Sequence, residues 1–108
     1  MKLIIAIIQD KDAPRLVEEL MEKNFGVTKM ASTGGFLKSG NSTLLVGVDD
    51  EQVDEVLDII KGKCCSRKQM VTPIPMGGTG DSYVPYPIEV RVGGATVFVV
   101  DVERFEKM

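Results

Sequence analysis

The chain has 108 residues, a net charge of −3 and 44% hydrophobic residues, which suits one compact soluble domain rather than two. No basic run stands out, which disfavours binding to a nucleic acid polymer through a charged surface. The apolar run Leu3–Ile8 is too short to span a membrane and lacks the flanks of a signal peptide, so we expect a cytoplasmic protein with no membrane partner.

The first part of the chain is typical of strand, helix and strand. Lys2–Gln9 is a continuous apolar strand, and Asp10 or Asp12 is predicted to cap the helix that follows. That helix is expected to end at 23–24. Val27–Ser32 then forms a second strand with alternating faces.

The same pattern returns at a spacing of about 40 residues. Thr43–Val48 is predicted to be a strand, Asp49 and Gln52 form a candidate capping box, and Gly62 is expected to end the second helix. Two such units predict an α+β, ferredoxin-like (βαββαβ-type) fold, with an antiparallel sheet and both helices on one face.

The central strands are apolar on both of their faces. Leu3–Ile8 and Leu44–Val48 are nearly unbroken apolar runs, yet two helices can cover only one face of the sheet. A bare apolar face usually marks an interface, so we expect other subunits to bury it, with cyclic symmetry. The alternative is that the long segment after the second helix folds over that face.

Two connections stand out. The glycine loop, residues 33–42, combines glycines, hydroxyl groups and an apolar Phe36–Leu37 pair, which suits a nucleotide because the backbone can approach a ligand and bind phosphate. The alternative is a hairpin loop whose Phe36 packs on its own domain.

The long segment, residues 66–87, is rich in Pro and Gly and is expected to be functional or mobile. A hairpin around Gly93–Gly94, between strands 88–92 and 95–102, follows it.

The sequence gives no support for catalysis. There is no His, no base lies in an evident motif near a nucleophile, and the glycine loop lacks the ending of a P-loop, so we expect neither an enzyme nor a metal site. Cys64 and Cys65 are expected to be reduced thiols near a helix end, with a redox role as the alternative.

Ligand binding is better supported. Phe36 and Phe98 are candidates to stack on a base, and Thr28 and Asn41 are candidates to bind phosphate or base edges. The alternatives are that Phe98 is a core residue and that Asn41 is a turn residue.

Several separate motifs resemble those of the PII-like cyclic di-AMP receptors of Gram-positive bacteria (PstA/DarA type), over nearly the whole chain. They are Asn24–Phe25, Thr28–Lys29, Ala31–Leu37, Gly40–Asn41, Gly47–Val48, Pro75–Gly78, Asp81–Tyr83, Pro85–Pro87 and Val92–Val99.

The resemblance implies a single PII-like domain over residues 1–108, assembled as a homotrimer that binds cyclic di-AMP in each cleft between neighbouring subunits. It implies a non-enzymatic signalling receptor without a cofactor, with the segment 66–87 as an enlarged B-loop. Our hypothesis for its mechanism is that the ligand orders the glycine loop and part of the segment 66–87 and so changes binding to a downstream protein that the sequence does not identify. The matching positions are Thr28, Gly35, Phe36, Leu37, Asn41 and Gly47, with Phe98 expected nearby from the adjacent subunit.

One position departs from the family pattern. Gly26 stands where members often carry an Arg, whose charge can contact phosphate or base. Two other functions stay open, an ATP- or ADP-sensing PII-type regulator and a scaffold trimer without a ligand.

Overall fold

A computed structural model describes residues 1–31, 40–71 and 88–108. In chain order the elements are β1 (Lys2–Gln9), α1 (Ala13–Glu22), β2 (Val27–Ala31), β3 (Asn41–Val48), α2 (Val53–Cys64), β4 (Arg67–Val71), β5 (Ile88–Val92) and β6 (Ala95–Asp101). A single-turn 3₁₀ helix precedes each α-helix, at Asp10–Asp12 and Asp50–Gln52.

Four strands form an antiparallel sheet in the order β2-β3-β1-β6, and both helices pack on one of its faces. This confirms the predicted α+β, ferredoxin-like fold, with β6 in the place of the fourth strand. Burial alternates along β1 and β3, because successive side chains point to opposite faces. The core on the helix side consists mainly of Ile4, Ala6, Ile8, Leu16, Leu20, Leu44, Val46, Val56 and Ile60.

The predicted helix boundaries are right at three of the four ends. The capping box before α2 is present, with the Asp49 N–H donating to Gln52 Oε1 at 3.0 Å. The expected stop at Gly62 is wrong, because α2 continues to Cys64. Cys64 lies one turn after Ile60 and is buried beside it, so the apolar face of the helix extends past the glycine.

The last part of the chain differs from the predicted hairpin. β5 pairs with β4 in a separate two-stranded sheet, while β6 pairs with β1. Gly93 and Gly94 have φ of 83° and 90°, so they turn a corner between two sheets instead of closing a hairpin. β4 also shows that the segment 66–87 begins as a regular strand.

Neither Asp10 nor Asp12 caps α1 through its side chain, contrary to prediction. Asp12 is fully buried, and its Oδ1 accepts a hydrogen bond from Arg67 Nη2 at 3.1 Å, while Arg15 Nη2 lies 3.8 Å away. Arg67 Nη1 also donates to the carbonyl oxygen of Cys65 at 3.1 Å. The ion pair therefore anchors the start of β4 to the start of α1.

We expect Arg67→Met to lower the free energy of unfolding by about 2–3 kcal/mol, because a buried carboxylate loses its main partner while Arg15 stays near it. Urea unfolding at fixed protein concentration measures this change. Arg104→Met is the matched control, since Arg104 pairs with Glu106 in an exposed position and its loss should cost less than about 0.5 kcal/mol. Equal effects of the two substitutions would contradict the anchoring role.

Candidate functional site

The sheet face opposite the helices carries apolar side chains that remain partly exposed. The register places Thr28, Leu45, Ile5 and Phe98 in one row across the four strands, on this same face. The side chain of Phe98 is 44% exposed, which excludes the interpretation of Phe98 as a core residue of the isolated chain. Val100, in the next row, is equally exposed. The face is therefore an apolar surface with room for a partner.

Four of the predicted ligand residues, Thr28, Asn41, Gly47 and Phe98, lie on this open face. Thr28 and Phe98 sit on the two edge strands, three strand spacings or about 14 Å apart. Gly47 is in the row of Leu3 and Val100. The sheet therefore aligns these residues on one surface, but a single chain does not gather them into a pocket.

Asn41 lies at the other end of β3, about 20 Å along the strand from Gly47. It pairs with Gln9 and lines a cavity of about 280 Å³ at the meeting point of three strand ends, where β1 finishes and β3 and β6 begin. The residues that line this cavity are Ile7, Ile8, Gln9, Asn41, Gly93, Gly94, Ala95 and Thr96. Asn41 is thus a cavity residue as well as the first residue of a strand.

Two hydrogen bonds hold the Gly93–Gly94 wall of the cavity in place. The Gly93 N–H donates to Gln9 Oε1 at 2.8 Å, and the Gly94 N–H donates to the carbonyl oxygen of Cys64. A Cβ at Gly93 would lie 2.6 Å from Arg67 Nη1 and would overlap the backbone of Cys65. The corner can therefore approach the body of the protein this closely only because residue 93 has no side chain.

The sequence pattern does not indicate the part of this cavity that Gln9, Gly93 and Thr96 supply. The adjacent glycines are the available signal, and they predict a hairpin turn instead. Gly35, Phe36 and Leu37, also predicted to bind ligand, lie outside the described residues; Asn41, within the predicted glycine loop, lines the cavity.

The cavity offers uncharged polar groups. The lining residues that the structure describes include two side-chain amides, from Gln9 and Asn41, and the hydroxyl of Thr96. Amides and hydroxyls both donate and accept hydrogen bonds, so they can read base edges and sugar hydroxyls. This wall is therefore suited to hydrogen bonding with the polar groups of a ligand.

Cys64 and Cys65 are free thiols at the end of α2, as predicted, the first buried and the second exposed. Burial, with a smaller contribution from the nearby Asp12 carboxylate, raises the pKa of the Cys64 thiol to about 11. Cys64 is therefore protonated near neutral pH, which disfavours it as a redox nucleophile because the thiolate is the reactive form.

In residues 1–31, 40–71 and 88–108, no helix is long and apolar enough to cross a membrane. Over the same ranges, no group of three or more His, Cys, Asp or Glu side chains is placed to hold a metal ion.

Comparison with known proteins agrees with the fold. The chain is similar to the crystal structure of a functionally unknown protein from Pediococcus pentosaceus ATCC 25745, with 46% sequence identity and a TM-score of 0.80. The match covers 99% of this chain and 96% of that one. The sequence model of the cyclic-di-AMP receptor family matches residues 1–108, the whole length given. The chain belongs to the cyclic-di-AMP receptor family.

Proposed function

We propose that this protein is a non-enzymatic signalling receptor that binds cyclic di-AMP between the subunits of a homotrimer. Membership of the receptor family supports the ligand. The observation that carries the intersubunit site is the open sheet face, on which Thr28, Gly47 and Phe98 lie beside apolar side chains that one chain leaves partly exposed.

The size of the cavity supports a site that needs a second chain. At about 280 Å³ it is smaller than the roughly 300–1,000 Å³ of pockets that enclose a drug-sized ligand. Cyclic di-AMP has two adenines, two riboses and two phosphates, so the cavity can hold only part of it. A neighbouring subunit on the open face supplies the missing wall.

The chemistry of the residues suits the parts of this ligand. A partly exposed aromatic ring such as Phe98 can stack on an adenine, and the amide of Asn41 can pair with a base edge. No charged side chain is among the described residues that line the cavity. For the phosphates we propose backbone N–H groups of Gly35 and its neighbours in the glycine loop.

Cyclic di-AMP bound in this way changes the surface that the glycine loop and the segment 66–87 offer to a downstream protein. β4 is the start of that segment, and its pairing with β5 leads directly to the Gly93–Gly94 corner in the cavity wall. Capture of a partner that differs between the ligand-free and ligand-bound receptor tests this step.

Titration calorimetry tests the ligand. We expect saturable binding of one cyclic di-AMP per chain, and at about 100 times the dissociation constant the ligand should raise the free energy of unfolding by about 2.7 kcal/mol per site. ATP and ADP are the matched competitors. Displacement of cyclic di-AMP by equimolar ATP would favour a PII-type energy sensor instead, and no heat with any of the three nucleotides would favour a scaffold.

Sedimentation equilibrium tests the assembly. We expect a molar mass of three chains for the wild type and of one chain for Val100→Glu, because a carboxylate on the open face cannot be buried without a partner. Met21→Glu is the matched control, since Met21 is an exposed residue of α1 on the helix side and should leave the trimer intact. A wild-type mass of one chain would overturn the intersubunit site.

Gly26→Arg tests where the ligand lies. Extending the β2–β3 register by one residue places Gly26 opposite Gly47, and a Cβ at Gly26 meets no atom within 4 Å. That position is about 20 Å along the sheet from Asn41, so in the proposed trimer an arginine there would contact the part of the ligand that extends beyond the cavity, beside Thr28, and a charge-assisted hydrogen bond should raise the affinity about tenfold.

Gly62→Arg is the control for Gly26→Arg, because Gly62 is also in open space but lies on α2, on the helix side of the sheet. It adds the same charge and should change the affinity for cyclic di-AMP less than about twofold. Equal gains from both substitutions would show an effect of net charge and not of a contact.

A further inference from the structure

We infer that Asp10 is a positioning residue for the ligand site, which it serves by fixing the strand start that carries Asn41. This inference rests on the proposed function and deepens it. Asp10 is not among the described residues that line the cavity, and we place its effect on ligand binding in its contacts with the two neighbours of Asn41.

Two contacts from Asp10 flank Asn41. The backbone N–H of Asp10 donates to the carbonyl oxygen of Gly40 at 2.8 Å. The side-chain Oδ1 of Asp10 accepts a hydrogen bond from Ser42 Oγ at 2.5 Å. The residues immediately before and after Asn41 are therefore both bonded to one residue at the end of β1.

The second contact joins an exposed residue to a buried one. Ser42 is 2% exposed and Asp10 is exposed. A buried hydroxyl whose acceptor is removed loses a hydrogen bond that water replaces poorly, so the Ser42 side chain and the start of β3 should shift or loosen. Gly40, with φ of 89°, has no side chain to restrict its backbone, so the position of Asn41 depends on contacts made by its neighbours.

The internal repeat provides a matched position. Asp50 corresponds to Asp10, since each opens the single-turn 3₁₀ helix that follows a central strand. Because β1 and β3 are antiparallel, the two residues lie at opposite ends of the sheet, and Asp50 pairs with the amino group of Met1 at 3.0 Å. Asp50 therefore has the same local setting without a contact to the cavity.

The test is calorimetric titration of the full chain with cyclic di-AMP. Asp10→Ala and Ser42→Ala should each weaken binding about fivefold to tenfold. Asp10→Asn keeps an acceptor for Ser42 and should stay within about threefold of the wild type, and Asp50→Ala should stay within about twofold.

A double-mutant cycle with Asn41→Ala separates positioning from general stability. In the Asn41→Ala background Asp10→Ala should cost less than about twofold, because the residue that it positions is gone. Undiminished loss in that background, or wild-type affinity of either Asp10→Ala or Ser42→Ala, overturns the inference. If Asp10→Ala does not fold, Ser42→Ala and Asp10→Asn decide the outcome.

Failure of the inference and failure of the proposed function give different results. A wild-type chain that does not bind cyclic di-AMP overturns both. A wild-type chain that binds, with Asp10→Ala equal to Asp50→Ala, overturns only the positioning role.

Discussion

Two helices cover one face of a four-stranded sheet whose central strands are apolar on both faces, and this imbalance underlies the rest of the structure. The side facing the helices holds the buried core around residues such as Ile4 and Leu44, with Val99 on the edge strand β6 exposed. The other side keeps Phe98 and Val100 partly exposed in the isolated chain. Covering an apolar surface of this kind removes it from water and is favourable in free energy. The proposed trimer would provide that cover and would at the same time complete a site that one chain builds only in part.

The end of β1 organises the surroundings of the cavity. Three polar side chains within four residues each bind a different part of the chain: Gln9 accepts from Gly93, Asp10 from Ser42 and Asp12 from Arg67. The open end of β1 is thus connected to the corner before β6, to the start of β3 and to the start of β4. The ligand site is proposed where these connections meet.

The predictions from sequence are wrong where a tertiary contact stabilises the chain more than the local pattern does. Gly62 carries the residue type of a helix stop, yet burial of Cys64 in the core extends α2 by two residues. Asp12 has the spacing of a helix cap, but Arg67 is a charged partner for it, and a buried carboxylate gains more from an ion pair than from a cap. The Gly93–Gly94 pair turns the chain as expected. Which strands it connects depends on β4, whose pairing with β5 no periodicity indicates.

The sequence by itself determined the fold class, both helices, the strands of the main sheet and the two-faced character of β1 and β3. These features follow from hydrophobic periodicity and short-range capping, which act over a few residues. The cavity and its surroundings were decided only by the tertiary structure, because Gln9 in its wall and the nearby Asp10 and Asp12 bind residues 84, 32 and 55 positions away. Contacts at such separations depend on how the whole chain folds, and no local pattern encodes them. Thr28, Asn41 and Phe98 were therefore recognisable as candidates from the sequence, while their placement on one sheet surface and at its cavity came from the strand register.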